Sequence, residues 1–148
     1  MITDKLNATG YVELVLKGPD GKVKETREIH NLVVTTGLGF IASRMKDASA
    51  TVMSHMAVGT TNTAAALGDT ALLAEVGSSR TALTSTNVTA NAVAYACTFG
   101  AGVGTGTLVE AGIFNAGAAG TMLARTVFTA IPKGASDSLT ITWTVTVS

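Results

Sequence analysis

One segment of the sequence alternates strictly, Leu139-Thr140-Ile141-Thr142-Trp143-Thr144-Val145-Thr146-Val147. Because successive side chains of a β-strand point to opposite faces, this pattern predicts a strand with one apolar face and one threonine face. The apolar face of such a strand is stable only when another layer covers it. The segment therefore indicates an all-β protein whose core lies between two sheets.

Seven more segments have the composition and alternation of strands, and clusters of Gly, Asn, Pro or Ser separate them. They cover residues 9–17, 22–34, 52–58, 80–88, 92–99, 107–114 and 121–131. Together with residues 139–147 they predict an eight-stranded antiparallel β-sandwich with a jelly-roll-like topology. Since no tandem repeat or proline-rich linker interrupts the chain, we expect residues 1–148 to form a single domain.

The N-terminal part is predicted to form a charged hairpin. The residues Gly18-Pro19-Asp20-Gly21 favour a chain reversal that makes residues 9–17 and 22–34 partners. The second strand is charged at Lys22, Lys24, Glu25, Arg27 and Glu28. Such charges protect the exposed edge of a sheet against uncontrolled pairing. They also suit a ribbon that projects into solvent or onto a neighbour, and we expect residues 9–34 to project in this way and residues 1–8 to form an N-terminal arm.

A change of period predicts one short helix at residues 36–47. Apolar residues recur there at positions i, i+3 and i+7, namely Leu38, Ile41 and Met45. Thr36 is the expected N-cap. A second, weaker helical turn is predicted at residues 69–76, where Asp69 precedes an apolar run.

Charge is unevenly distributed along the chain. Ten basic and ten acidic side chains give a formal net charge of zero, which argues against a protein that binds nucleic acid through phosphate contacts. Thirteen of these twenty charges lie in residues 1–47. The remaining surface must come largely from the 24 Thr, 23 Ala and 16 Gly. This composition favours faces that other protein subunits cover, and a threonine-rich face exposed to solvent is the alternative.

The sequence gives no indication of export or membrane insertion. The first residues lack an apolar core of the kind found in signal peptides, and no stretch approaches 18 uninterrupted apolar residues. The single cysteine, Cys97, offers no intrachain disulfide, so we expect a reducing compartment.

A search for catalytic or ligand-binding motifs predicts a protein that is not an enzyme and uses no metal or cofactor. The two histidines, His30 and His55, lie in no recognisable motif, and Cys97 lies on the apolar face of its strand. The glycines of residues 100–106 alternate and precede a strand, whereas a phosphate site needs different glycine spacing and a following helix. We interpret that segment as a flexible loop between strands.

Glu110 is the one acidic residue whose apolar neighbours predict burial. A buried charge without a partner is costly, so Arg125 or Arg80 is expected to supply the countercharge in a structural ion pair. The alternative is a general acid with a raised pKa, but glycosidase-type chemistry also requires a second placed carboxylate.

Several segments carry a resemblance to small virion proteins of bacteriophages. They are Asn31-Leu32-Val33-Val34-Thr35-Thr36-Gly37, Met56-Ala57-Val58-Gly59-Thr60, Gly68-Asp69-Thr70-Ala71-Leu72 with Arg80, Glu110-Ala111-Gly112-Ile113-Phe114 and Leu123-Ala124-Arg125-Thr126-Val127-Phe128. With these segments the chain resembles the capsid cement or decoration proteins, which have jelly-roll-like folds.

This resemblance implies a non-catalytic protein that binds the outer surface of the phage head and stabilises the contacts between capsomers. The implied partners are the major capsid protein and further copies of the chain itself, in a dimer or trimer, with no nucleic acid or membrane. The implied location is the virion, at the capsid surface, after synthesis in the cytoplasm of the bacterial host.

Two other functions are compatible with the sequence. A tail-associated or fibre-associated structural protein of a phage is the first alternative. A carbohydrate-binding module is a more distant one, because sandwiches often bind sugars on aromatic rings. The aromatic residues that bear on it are Trp143, Tyr11 and Tyr95.

Overall fold

A computed structural model describes residues 6–46 and 49–148. Ten strands and one helix occur in that part of the chain. In chain order they are β1 (Ala8–Lys17), β2 (Val23–His30), β3 (Leu32–Val33), α1 (Thr35–Ser43), β4 (His55–Gly59), β5 (Thr81–Ala82), β6 (Ser85–Thr89), β7 (Ala92–Phe99), β8 (Gly106–Phe114), β9 (Met122–Lys133) and β10 (Ser138–Val147).

The strands form two five-stranded antiparallel sheets, which confirms the predicted all-β sandwich. The first sheet, called sheet A, has the order β2-β1-β10-β7-β6, and sheet B has the order β3-β9-β8-β4-β5. Successive strands such as β1 and β2, or β8 and β9, are neighbours in one sheet. Because a jelly roll places most successive strands in opposite sheets, the observed order departs from the predicted jelly-roll-like topology.

The prediction of eight strands is wrong because two of the predicted segments each contribute to both sheets. Residues 22–34 divide at Asn31 into β2 of sheet A and β3 of sheet B. Gly10 makes this step possible, since a side chain there would overlap the side chain of Asn31. Residues 80–88 divide in the same way: the N–H of Leu83 donates to the carbonyl of Ser54, the residue before β4 of sheet B (2.8 Å), and the next N–H, of Thr84, donates to the carbonyl of Ala96 in sheet A (2.7 Å).

The N-terminal hairpin forms as predicted but lies within sheet A and does not project. β1 pairs with β10 along its whole length, from Ala8 opposite Val147 to Lys17 opposite Ser138. β2 then forms the edge of the sheet. Of the predicted N-terminal arm, residues 1–5 lie outside the described residues, and the backbone of Asn7 exchanges two hydrogen bonds with Ser148 (2.6 and 2.8 Å).

The predicted helix is confirmed with different ends. It covers Thr35–Ser43, its N-cap is Val34, and no side chain caps it. Thr36, the predicted cap, instead donates its hydroxyl to the carbonyl of Met122 at 3.2 Å and so ties α1 to β9. Gly37 allows the close approach, because a Cβ at this position would overlap the backbone of Leu123. The end of the prediction, Asp47, lies outside the described residues.

The strand alternation predicted from the sequence determines the core. The inward residues of β1 and β10 are almost entirely buried: Val12, Leu14, Leu16, Leu139, Ile141, Trp143 and Val145. A second, smaller cluster contains Val34, Ala57, Leu72, Phe114 and Met122. Since Met56 and Val58 belong to the main core, alternation puts Ala57 on the opposite face of β4. The second cluster therefore covers the outer face of sheet B.

Asp137 ties the turn between β9 and β10 to the edge strand β2 of sheet A. Its carboxylate accepts two hydrogen bonds from Lys24 Nζ (3.1 and 3.0 Å) and one from the N–H of Gly134 (2.8 Å). The hydrogen bond from Lys24, followed by that from Gly134, lowers the pKa of Asp137 below its ordinary value of 3.8.

We predict that Asp137→Asn lowers the free energy of unfolding at neutral pH. A carboxyl group whose pKa is lower in the folded state stabilises the fold above its unfolded pKa and loses that effect as the pH falls through its folded pKa. The difference between variant and wild type should therefore shrink as the pH falls below 3.8 and vanish once the pH lies below the lowered folded pKa. Urea denaturation of the variant and the wild type, at neutral pH and again below the folded pKa of Asp137, measures this difference. The matched control is Asp20→Asn, whose carboxylate accepts an N–H from Lys22 in an exposed turn; equal effects of the two variants at neutral pH would contradict the prediction.

Candidate interaction surfaces

Half of the outer face of sheet A is uncharged. The three adjacent strands β10, β7 and β6 contain no Asp, Glu, Lys, Arg or His. Their outward residues define what we call the neutral face: Thr140, Thr142, Thr144, Thr146, Ala92, Ala94, Ala96, Thr98, Ser85, Asn87 and Thr89. Their side chains are short, and Thr98 and Thr140 share a hydrogen bond between hydroxyls at 3.0 Å. The result is a surface of short uncharged side chains, mostly hydroxyl and methyl groups.

The other half of the same face is charged. β1 contributes Glu13 and Lys17, and β2 contributes Glu28 and the ionisable His30, which lie opposite Glu13 and Tyr11. Arg27 and Glu25 of the same strand lie on the inner side, opposite Leu14 and Leu16, where they form a salt bridge at 2.8 Å and Arg27 also donates to the carbonyl of Ala130 in β9 (3.3 Å). The concentration of charge in the first third of the sequence thus becomes a spatial division of one sheet.

An apolar groove of about 430 Å³ lies next to the neutral face, on the inner side of sheet A where α1 and the segment before β4 cover it only in part. We call it the apolar groove, and its lining consists of Phe40, Ile41, Arg44, Val52, Met53, Thr86, Val88, Val93, Tyr95, Leu123, Val145 and Val147. Val88 and Val52 at its mouth are 71% and 58% exposed. The sequence does not predict this groove, and its one signal there is the apolar Val88 in an otherwise polar strand.

Glu110 and Arg125 form a fully buried ion pair, which confirms the predicted pairing of Glu110 and selects Arg125 over Arg80. Arg125 Nη2 lies 2.8 Å from Glu110 Oε2, and Nε donates to the same oxygen at 2.9 Å. Arg80 instead binds Glu75 at 2.9 and 3.0 Å and stacks over the ring of Phe114 at 3.7 Å.

The ion pair fixes the long irregular connection between β4 and β5, residues 60–80, on sheet B. Glu110 accepts the N–H groups of Leu73 (3.3 Å) and Ala74 (2.8 Å). Arg125 binds Asp69 at 3.1 Å and the carbonyl of Thr63 at 2.9 Å. Because the side chain of Glu110 binds these N–H groups, the predicted helical turn at residues 69–76 does not form. That prediction was wrong, and Asp69 is a member of the cluster that the sequence analysis missed.

The residues considered for catalysis or metal binding do not meet. His30 is exposed at the end of β2 with its ring against Tyr11 (6.0 Å between centroids), and His55 lies in sheet B beside the hydroxyl of Ser54 at 2.7 Å. Cys97 is fully buried in the core. Within residues 6–46 and 49–148, no group of three His, Cys, Asp or Glu could hold a metal ion.

The glycine-rich segment is an inter-strand connection. It carries the chain from β7 in sheet A to β8 in sheet B. Gly102 and Gly104 adopt positive φ angles of 78° and 60°. The carbonyl of Gly100 accepts a hydrogen bond from Lys133 Nζ at 2.9 Å, and the N–H of Gly102 donates to Ala135 at 2.8 Å. No helix follows the segment, so it lacks the feature that makes such loops bind phosphate.

No family model, curated protein or solved structure matches the chain. Among the described residues, no helix has the length and apolar character needed to cross a membrane. Three features of the described residues stand out as surfaces open to a partner: the neutral face, the apolar groove and the exposed edge strand β6, which contributes to both.

We predict that Glu110→Gln destabilises the fold by about 3 kcal/mol, because it leaves the buried Arg125 without its main countercharge. The matched control, Glu75→Gln, breaks an ion pair in which Glu75 is 29% exposed, and should cost less than about 1 kcal/mol. Urea denaturation of both variants measures the difference. Equal costs would show that the buried pair contributes no more than the surface one.

We also predict that the thiol of Cys97 reacts with Ellman's reagent only after unfolding. The side chain is fully buried, and burial raises its pKa to about 12, so little reactive thiolate forms at mildly alkaline pH. The controls are the same protein in guanidinium chloride and a Thr26→Cys variant, whose added thiol lies on the exposed side of β2. Rapid labelling of native wild-type protein would contradict the prediction.

Proposed function

We propose that this protein is a bacteriophage capsid cement, or decoration, protein that binds the outer surface of the head and stabilises the contacts between capsomers. The observation that carries the proposal is the neutral face, since three adjacent strands expose a surface without any ionisable group. Such a face can pack against another polypeptide without the cost of burying unpaired charges. The proposed partner is the major capsid protein.

The size of the neutral face argues for binding in more than one copy. Three strands of five to ten residues cover roughly 15 Å by 30 Å, on the order of 400 Å². A stable interface buries about 800 Å² on each partner. One face is therefore too small for a lasting contact, and an assembly of two or three copies would gain strength from simultaneous attachment. This supports the homo-oligomer that the family resemblance implies.

A cement protein needs a rigid body more than it needs chemistry, and the described residues fit that requirement. The irregular segment at residues 60–80 is held by a buried ion pair, and the one thiol is shielded. In this proposal the protein is made in the cytoplasm of the bacterial host and functions at the capsid surface of the virion.

The sugar-binding alternative gains little support. Trp143 is fully buried and Tyr95 is 8% exposed, while Tyr11 is the one aromatic residue among the large exposed side chains of the described residues. A single ring offers no platform for a saccharide. A tail-associated or fibre-associated protein differs from a cement protein in copy number, so the amount per virion separates the two: a cement protein is present in numbers comparable to the capsomers.

We predict that Thr98→Glu, which adds a carboxylate to an exposed position of the neutral face, lowers occupancy on purified heads at least about tenfold, because docking would bury an unpaired charge. Thr26→Glu is the matched control, since Thr26 is exposed on the charged strand β2 of the same sheet. Quantitative mass spectrometry against the major capsid protein gives the occupancy. Equal binding by both variants would refute the proposed role of this face.

A further inference from the structure

The two edges of sheet A are built differently. β2 carries alternating charges and a register irregularity next to Leu16, both of which discourage pairing with another strand. β6 (Ser85–Thr89) has neither: its five residues, Ser-Thr-Asn-Val-Thr, include no charge and no proline, and its register with β7 is regular. All five are exposed. Since an edge strand presents unpaired N–H and C=O groups, β6 is open to one further strand.

The side chains of β6 are complementary to a second copy of β6. In an antiparallel pair centred on Asn87, Thr86 of one copy lies opposite Val88 of the other. Both residues line the apolar groove. Val88, which is 71% exposed in one chain, would then lie over the mouth of the partner's groove. Because the strand contains no ionisable residue, no like charges meet when two copies approach.

We propose that two copies of this chain pair antiparallel through β6, about a twofold axis at Asn87, to form one continuous ten-stranded sheet. The pairing satisfies the free backbone groups of both edges and covers both apolar grooves. It also joins the two neutral faces into a single surface of roughly 800 Å², the size of one side of a standard interface. The dimer is a property of the purified protein and does not depend on the proposed binding to phage heads.

Sedimentation equilibrium of the purified full chain tests the proposal. Wild-type protein is expected to be a dimer in the micromolar range. Asn87→Lys puts two ammonium groups opposite each other across the axis and should raise the dimer dissociation constant at least about tenfold. Thr26→Lys, the matched control on the other edge strand, should leave it unchanged. A monomeric wild type, or equal effects of the two lysines, would overturn the proposal.

A cysteine pair provides a positive test of the register. Opposite Cβ atoms in an antiparallel pair lie about 4.5–5.5 Å apart, close to the separation that a disulfide requires. Asn87→Cys should therefore yield a disulfide-linked dimer on mild oxidation, whereas Thr26→Cys should not, and the native Cys97 is too buried to interfere. A wild-type dimer in which Asn87→Cys does not cross-link would refute pairing through β6.

These outcomes separate the two proposals. If Asn87→Cys cross-links while Thr98→Glu binds heads normally, the dimer stands and the neutral face is not the capsid contact. Circular dichroism and thermal unfolding of each variant verify that the fold is intact, as expected for substitutions at exposed positions.

Discussion

The buried pair of Glu110 and Arg125 is the interaction on which the outer layer of sheet B depends. Removing two charges from water costs several kcal/mol for each ion, and only close geometry with further hydrogen bonds offsets it. Here every component is present: two contacts within the pair, two backbone N–H groups on Glu110, and Asp69 and a carbonyl on Arg125. These contacts hold residues 60–80, which form no regular secondary structure, in one conformation on sheet B.

The segments that carry the resemblance to phage virion proteins converge on this pair. Gly59 is required there because a Cβ would overlap the carboxylate of Glu110. Gly112 leaves room for Leu72, and Asp69 completes the charge cluster. These residues therefore have a structural explanation in this chain: they attach residues 60–80 to sheet B. Their spacing in the sequence is explained by the contacts that hold residues 60–80 over the outer face of sheet B. The surfaces open to partners lie on sheet A.

Sheet A combines a charged half with a neutral half, and the division follows the order of its strands. β1 and β2 come from the charged beginning of the chain, whereas β10, β7 and β6 come from the part with few charges. The same division separates a protected edge from an open one. Charge distribution, edge protection and the apolar groove thus all favour contacts on the β6 side of the sheet.

The sequence alone determined the features that depend on local alternation: the segments that form strands, though not how two of them divide, the hairpin at Gly18–Gly21, the burial of Cys97 and the need of Glu110 for a countercharge. Period-two patterns indicate which face of a strand is buried, because each strand of a two-sheet sandwich buries one face whichever sheet it joins. They do not report which sheet a strand joins, because that depends on partners distant in the sequence. Only the tertiary structure therefore divided residues 22–34 and 80–88 between the sheets, placed β1 inside sheet A, and replaced the helical turn at residues 69–76 with hydrogen bonds to Glu110.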